Sequence, residues 1–198
     1  MIYTTIPYEI NQMYGEAIKA NISKYDDDDI ILILDHDVLL VQHRWNEICQ
    51  KAVTILNKAD PNWGWVTCVT NRIGCSVQKA EAYKTPAMFN GDVIRWSEDL
   101  NFHFLVAKEF FNFYKITNEK NEYSPVILKH TAEKIKFSGM FILTKAKLLK
   151  KFTNFPDNKF IGWDNWYYDR LKENKNTFYI LPGLYIYHSY RRLWKNVK

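Results

Sequence analysis

Two aspartates, Asp35 and Asp37, stand one residue apart at the end of an unbroken apolar run, Ile30 to Leu34. Carboxylates so spaced suit a hard divalent cation, which keeps waters and phosphate oxygens as further ligands and needs only one or two protein carboxylates. The run has no polar alternation, so it reads as a strand buried on both faces, as inside a parallel sheet. Open α/β sheets bind ligands just beyond the carboxyl ends of their strands. In extended backbone residues i and i+2 point the same way, so both carboxylates are expected to face one ligand. Taken alone the pair is common, because acids also cap strand ends and turns.

A second group of residues lies in Phe155-Pro-Asp-Asn-Lys-Phe-Ile-Gly-Trp163-Asp164-Asn165-Trp166. Gly162-Trp163 opens a helical pattern and puts Asp164 in its first turn, where exposed amides favour a carboxylate. A plain helix cap is the ordinary role there. Aromatic neighbours raise a carboxyl pKa by desolvation if the pocket is dry, a condition a general base exploits. A third group is Tyr185 to Arg192, with His188 closing a strand pattern. A lone histidine is more often a satisfied polar residue than a ligand, yet imidazole with carboxylates suits Mn²⁺. Arg191 and Arg192 fit an ordinary surface, and an arginine there would also offset phosphate charge. Asn71 and Arg72 follow a strand end, where an ordinary loop and the wall of the same cleft are equally good readings.

The elements that must position these residues follow from periodicity. Ile2 to Ile6 alternates and stops at Pro7, as a first strand would. Ile10, Met13, Tyr14, Ala17, Ile18 and Ile22 recur at helical spacing, and Asp26 to Asp29 form a solvated turn. Trp45 to Leu56 marks a second amphipathic helix ended by Asp60-Pro61. Trp65 to Thr70 is a strand, and Ser97 is placed to cap a helix through Tyr114. Asn118 to Pro125 is a polar loop. Phe137 to Leu143 reads as a strand broken at Ser138-Gly139, with Thr144 capping a basic helix from Lys145 to Phe152. After the Gly162 to Asn174 helix, Thr177 to Leu181 and Leu184 to His188 are two strands around Pro182-Gly183. Strands alternating with helices predict an α/β fold with a mostly parallel central sheet, in one domain of 198 residues.

Composition narrows the classes. With 47% hydrophobic and 25% charged residues the chain is globular rather than disordered. A net charge of +5 suits a polyanionic ligand such as a nucleotide, or peripheral contact with an anionic membrane, although surplus surface lysine explains it as well. The three cysteines form no C-x-x-C pair, which argues against a zinc site or a disulfide framework and for a reducing compartment. The N-terminus has no charged region followed by an apolar one, and no run approaches a membrane span. The expected location is cytoplasmic.

In this order, the three groups resemble the metal-dependent glycosyltransferases of the GT-A fold, in a family-2-like and galactosyltransferase-like branch. The resemblance covers nearly the whole chain. Asp35-His36-Asp37 looks like the D-x-D motif that binds the cation and the nucleotide diphosphate. Phe137-Ser-Gly139-Met-Phe-Ile-Leu-Thr144 is similar to the glycine-containing strand lining the sugar pocket. Phe155 to Leu171 is similar to the F-P-N-x-x-x-G-W-G-x-E-D-x-D segment, with Asp164 on the aspartate that serves inverting members as acceptor base. His188 matches the late histidine of the metal site. Trp163 stands where the family has the glutamate of its E-D pair, and Gly15 where related sequences often carry asparagine. The second nucleotide strand is missing, so this is a compact, Rossmann-like version of the fold.

The resemblance implies transfer of a hexosyl or N-acetylhexosaminyl group from a nucleotide sugar, a UDP-sugar first, to a hydroxyl on a glycan, lipid-linked or protein acceptor. Mn²⁺ or Mg²⁺ would be held by Asp37 and His188. Asp35 would bind the donor ribose or a metal-bound water. Ile6, Pro7, Tyr8, His36, Arg72 and Arg191 are the donor-side candidates, and Gly139, Trp163 and Asn165 the sugar- and acceptor-side ones. Asp164 as base implies inversion, with retention the alternative. Two other classes compete. A metal-dependent nucleotidyltransferase would carry a Gly/Lys/Arg-rich phosphate loop, which Thr4 to Asn11 lacks. A nucleic-acid-binding module would use aromatics to stack on bases, but here they fall mostly at core positions and the acids cluster where phosphates would lie. No nucleic acid is expected as partner.

Overall fold

A computed structural model describes residues 1–7, 14–83, 89–132, 134–152 and 162–189. Tyr8, Arg191, Arg192, residues 10–13 of the first helical pattern and residues 155–161 of the Phe-Pro segment lie outside these. In chain order the elements are β1 (Ile2–Thr5), α1 (Tyr14–Ile22), β2 (Ile30–Leu34), β3 (Val38–Leu39), α2 (Trp45–Ala59) and β4 (Trp63–Thr70). Two single 3₁₀ turns (Ser76–Gln78 and Ala80–Ala82) lead to α3 (Gly91–Trp96), α4 (Leu100–Phe113), β5 (Lys115–Thr117), β6 (Tyr123–Pro125) and β7 (Leu128–His130). The chain continues with β8 (Phe141–Lys145), α5 (Ala146–Lys151), α6 (Trp163–Glu173) and β9 (Thr177–His188).

The main sheet runs β1-β2-β8-β4-β9-β3, with β7 also on β9. It is mixed rather than mostly parallel. β1 is parallel to β2 and β4 to β9, but β8 lies between β2 and β4 antiparallel to both, and β3 and β7 meet β9 antiparallel. The sequence pattern does not reveal β8's direction, because an all-apolar strand looks the same in either sense. β1, β2, β4 and β9 therefore end at one edge of the sheet, and β8 begins there.

β2 and β4 are buried at every position, as their near-continuous apolar sequences require. Each buried Ile, Leu or Val side chain contributes about 1.5–3 kcal/mol. β8 and β4 are paired only at Val66 and Leu143, and side chains reinforce that seam. The Trp65 indole N–H and the Thr67 hydroxyl both donate to the Phe141 carbonyl, at 3.2 and 3.0 Å, and the Thr144 hydroxyl donates to Gly64 O at 2.6 Å. Thr144 is thus the penultimate residue of β8, not the cap of α5. The acidic turn docks that helix instead: the backbone carbonyls of Asp29 and Asp27 accept from Ala146 and Lys147 N–H.

Other expectations shift by a few residues. Asp99, not Ser97, caps α4, its carboxylate accepting from Asn101 N–H at 2.9 Å, while the Ser97 carbonyl meets Nε2 of buried His103 at 3.0 Å. Of the expected loop 118–125, residues 118–122 are the turn of a hairpin and Tyr123–Pro125 are its second strand, β6, paired with β5. β8 starts at Phe141, later than Phe137. The two expected strands around Pro182-Gly183 are one strand, β9. It pairs with β4 through Cys68↔Leu181 and then Val69↔Tyr185, so Pro182, Gly183 and Leu184 have no partner on β4.

Candidate metal and sugar-transfer site

The carboxyl edge of the sheet gathers the expected residues. Thr5 pairs with Ile33, so Ile6 and Pro7 follow β1 at the level where β2 gives way to Asp35. Ile6 is exposed there and Pro7 buried. Asp35, His36 and Asp37 form a tight turn rather than extended backbone, closed by the Val38 N–H to the Asp35 carbonyl at 3.3 Å. The turn, not the strand pleat, brings the side chains together: one ligand atom from each of the three lies within 4.8 Å of the others. The Asp35 N–H donates to Met140 O at 3.2 Å, anchoring the turn to the start of β8.

His188 reaches this turn because β3 pairs with the end of β9, Val38 opposite His188. Its Nε2 lies 3.0 Å from Oδ1 of Asp37, and both side chains are buried. Its Nδ1 lies 2.9 Å from the backbone carbonyl of Arg72. A carbonyl only accepts, so Nδ1 carries a proton and Nε2 is the ring nitrogen directed at Asp37. The opposing Oδ1 is buried with no hydrogen bond of good geometry. Nε2 and a carboxylate oxygen, two metal-ligating atoms, therefore meet at this edge.

A divalent cation fits this donor set. Adjacent ligands on an octahedral ion at about 2.0–2.1 Å stand about 3 Å apart, and imidazole with carboxylate suits Mn²⁺. The electrostatics separate the two aspartates. Burial and the neighbouring Asp37 charge push the Asp35 carboxyl above its usual range. Burial acts the same way on Asp37, but contact with His188 outweighs it and holds Asp37 below the usual range.

Arg72 is buried and acts on the strand that carries the histidine. Its guanidinium donates to Ser189 O at 2.9 Å and lies 5.7 Å from the Trp96 ring centre.

Asp164 is half-buried in the first turn of α6. Its Oδ2 accepts from the Gly139 N–H at 2.9 Å and its Oδ1 from the Asn165 N–H at 2.8 Å. Gly162, just before, adopts φ +126°, a conformation that demands glycine. Gly139 and Met140 are consecutive, so one dipeptide holds Asp164 by an amide and Asp35 by a carbonyl. Asn165 is exposed beside them. Trp163 is not on the cleft wall: it is 2% exposed and stacks on Tyr167 with ring centres 5.1 Å apart. Its indole serves the core, which corrects its place among the acceptor-binding candidates.

The sequence pattern did not single out Gln78. This buried side chain accepts from Ser138 N–H at 2.7 Å and donates to Ser138 O and the Thr67 hydroxyl, at 3.0 and 2.8 Å. It fixes the loop that presents Gly139. A glutamine in a short 3₁₀ turn carries no local signal of such a role.

No family model, curated protein or solved structure matches the chain. The functional reading therefore rests on these residues and their geometry. Among the described residues no helix is long and apolar enough to cross a membrane.

Proposed function

We propose that this protein is a metal-dependent glycosyltransferase that moves a sugar from a nucleotide sugar, a UDP-sugar first, to an acceptor hydroxyl. The observation that carries the reading is the meeting of Asp37 and His188 at the carboxyl edge, with the histidine's outer nitrogen already tied to a carbonyl, as a ligand's would be. The proximity of a separate carboxylate through Gly139-Met140 supports it.

Asp37 and His188 would hold Mn²⁺ or Mg²⁺, and Asp35 would bind the hydrated ion or the donor ribose. The ion supplies Lewis-acid stabilisation of the charge that builds on the departing diphosphate. Ile6 and Pro7, at the end of β1, flank the nucleotide side. Asp164 takes the proton of the acceptor hydroxyl while that oxygen attacks the anomeric carbon, and the bond to the diphosphate oxygen breaks with its electron pair. Two backbone amides fix the carboxylate without using all its lone pairs, which leaves capacity to receive the proton. Attack from the face opposite the leaving group inverts the sugar.

The test is a screen of UDP- and GDP-sugars for Mn²⁺-dependent hydrolysis or transfer, with anomeric configuration followed by NMR. Asp164→Asn should bind UDP and Mn²⁺ as the wild type does and lose about 10²–10⁴-fold in turnover. Full turnover in that variant removes Asp164 as base, a retained anomer makes the enzyme a retaining one, and no turnover of any donor overturns the reading.

A further inference from the structure

The ends of three strands close into a ring of hydrogen bonds around His188. Its backbone N–H donates to Oδ1 of Asn71 at 2.8 Å, and its ring Nδ1 meets the Arg72 carbonyl at 2.9 Å. The Arg72 guanidinium donates to Ser189 O at 2.9 Å, and Ser189 N–H donates to the Asp37 carbonyl at 2.9 Å. Two consecutive residues after β4 thus grip both the backbone and the imidazole of the last residue of β9, and the residue that follows β9 grips Asp37.

Asn71 is the part of this ring whose side chain holds the His188 backbone. It is 4% exposed. Its Oδ1 also accepts from the Thr70 hydroxyl at 3.0 Å, so the amide orientation is fixed from two sides. Its Nδ2 is buried with no partner among the described residues. An orphaned buried donor is destabilising, a liability that a residue kept for stability alone would not carry. Oδ1 is the atom that gives the asparagine its use, and His188 is what it holds.

Taking the metal-dependent reading above as given, we propose that Asn71 is the positioning residue of the cation site: by holding the His188 backbone it keeps Nε2 against Asp37 and sets cation affinity without touching the ion. Partners that orient a metal-binding histidine are worth about 10–100-fold in affinity. The effect passes through His188, so it vanishes when that ligand is gone.

The experiment measures Mn²⁺ dissociation constants by calorimetry for the full-length wild type, Asn71→Ala, Asn71→Asp, His188→Ala and the Asn71→Ala/His188→Ala double variant. Asn71→Ala should weaken Mn²⁺ about ten- to hundredfold, Asn71→Asp should bind within a fewfold of the wild type because it keeps the acceptor, and Asn71→Ala should add nothing to His188→Ala. Unchanged affinity in Asn71→Ala, or an equal loss in the His188→Ala background, overturns the proposal while leaving the metal site intact. A wild type that binds no divalent cation overturns the metal-dependent reading and this inference together. If Asn71→Ala does not fold, Thr70→Val, which frees one side of the amide, carries the same comparison. Nitrogen NMR of the metal-free wild type must then also show His188 protonated at Nδ1; protonation at Nε2 alone breaks the ring and the proposal.

Discussion

A Cβ on residue 139 would stand 2.9 Å from the Asp164 Cβ, closer than side chains come without something moving. Neither neighbour yields easily, since Gly139 N–H is bonded to Asp164 and the adjacent Met140 carbonyl to Asp35. Gly139→Ala should therefore destabilise the protein by about 1–3 kcal/mol, the usual cost of overpacking. It should also lower kcat about 10²-fold through misplacement of the carboxylate, with KM changed far less. Urea midpoints and steady-state kinetics check both, and a wild-type midpoint with wild-type kcat would remove the steric account. At this scale the sequence was informative about type and poor about place. The contact of Asp37 with His188 and the place of Asp164 in the first turn of α6 match the expectation, which singled these residues out because few types do metal and proton chemistry. Trp163 was misplaced because aromatic residues look alike whether they face a sugar or the core. Gln78 and the grip of Asn71 were invisible, because each acts on a backbone group more than fifty residues away that no local pattern announces.

Among the elements, the junction of α2 with β9 shows how the edge opposite the site is tied. Asp60 ends α2, and its carboxylate accepts from the hydroxyls of Thr177 and Tyr179, the latter at 2.7 Å, while also taking the Asn62 N–H at 3.1 Å. Burial pushes this carboxyl up, but the hydrogen bonds together outweigh it and the net shift is downward. A carboxyl whose folded pKa lies below its unfolded one contributes stability above the unfolded value and loses it as pH falls through the folded one. Asp60→Asn should therefore be less stable than the wild type at neutral pH, with the gap narrowing as the solution is acidified through the carboxylate range. Unfolding curves at stepped pH measure it; a gap constant across that range would sink the assignment. Element existence was mostly legible from hydrophobic period. Boundaries slipped where a side chain had two possible uses: Thr144 as cap or as a β8 residue bonded to Gly64, Ser97 as cap of α4 or as acceptor from the Asp99 N–H before it.

Across the whole molecule one cluster of buried residues runs from Ile18 in α1 to Tyr187 in β9. Such continuity predicts a single unfolding transition, with far-ultraviolet circular dichroism and the fluorescence of buried Trp63 and Trp65 changing together; two separated midpoints would mean that the core is divided. The α/β class was legible because buried strands and amphipathic helices alternate along the chain. The antiparallel course of β8 was not, since direction leaves no trace in an apolar pentapeptide. One further consequence follows from the three residues of β9 that β4 leaves unpaired. Side chains alternate faces along a strand, and each residue advances about 3.3 Å. An odd number of extra residues inverts the phase of everything after it, and three displace it by about 10 Å. Pro182 to Leu184 therefore work as a spacer: with three residues taken up between Leu181 and Tyr185, His188 arrives opposite Val38, next to Asp37. The length of that spacer thus sets which residue of β9 meets the Asp35 to Asp37 turn.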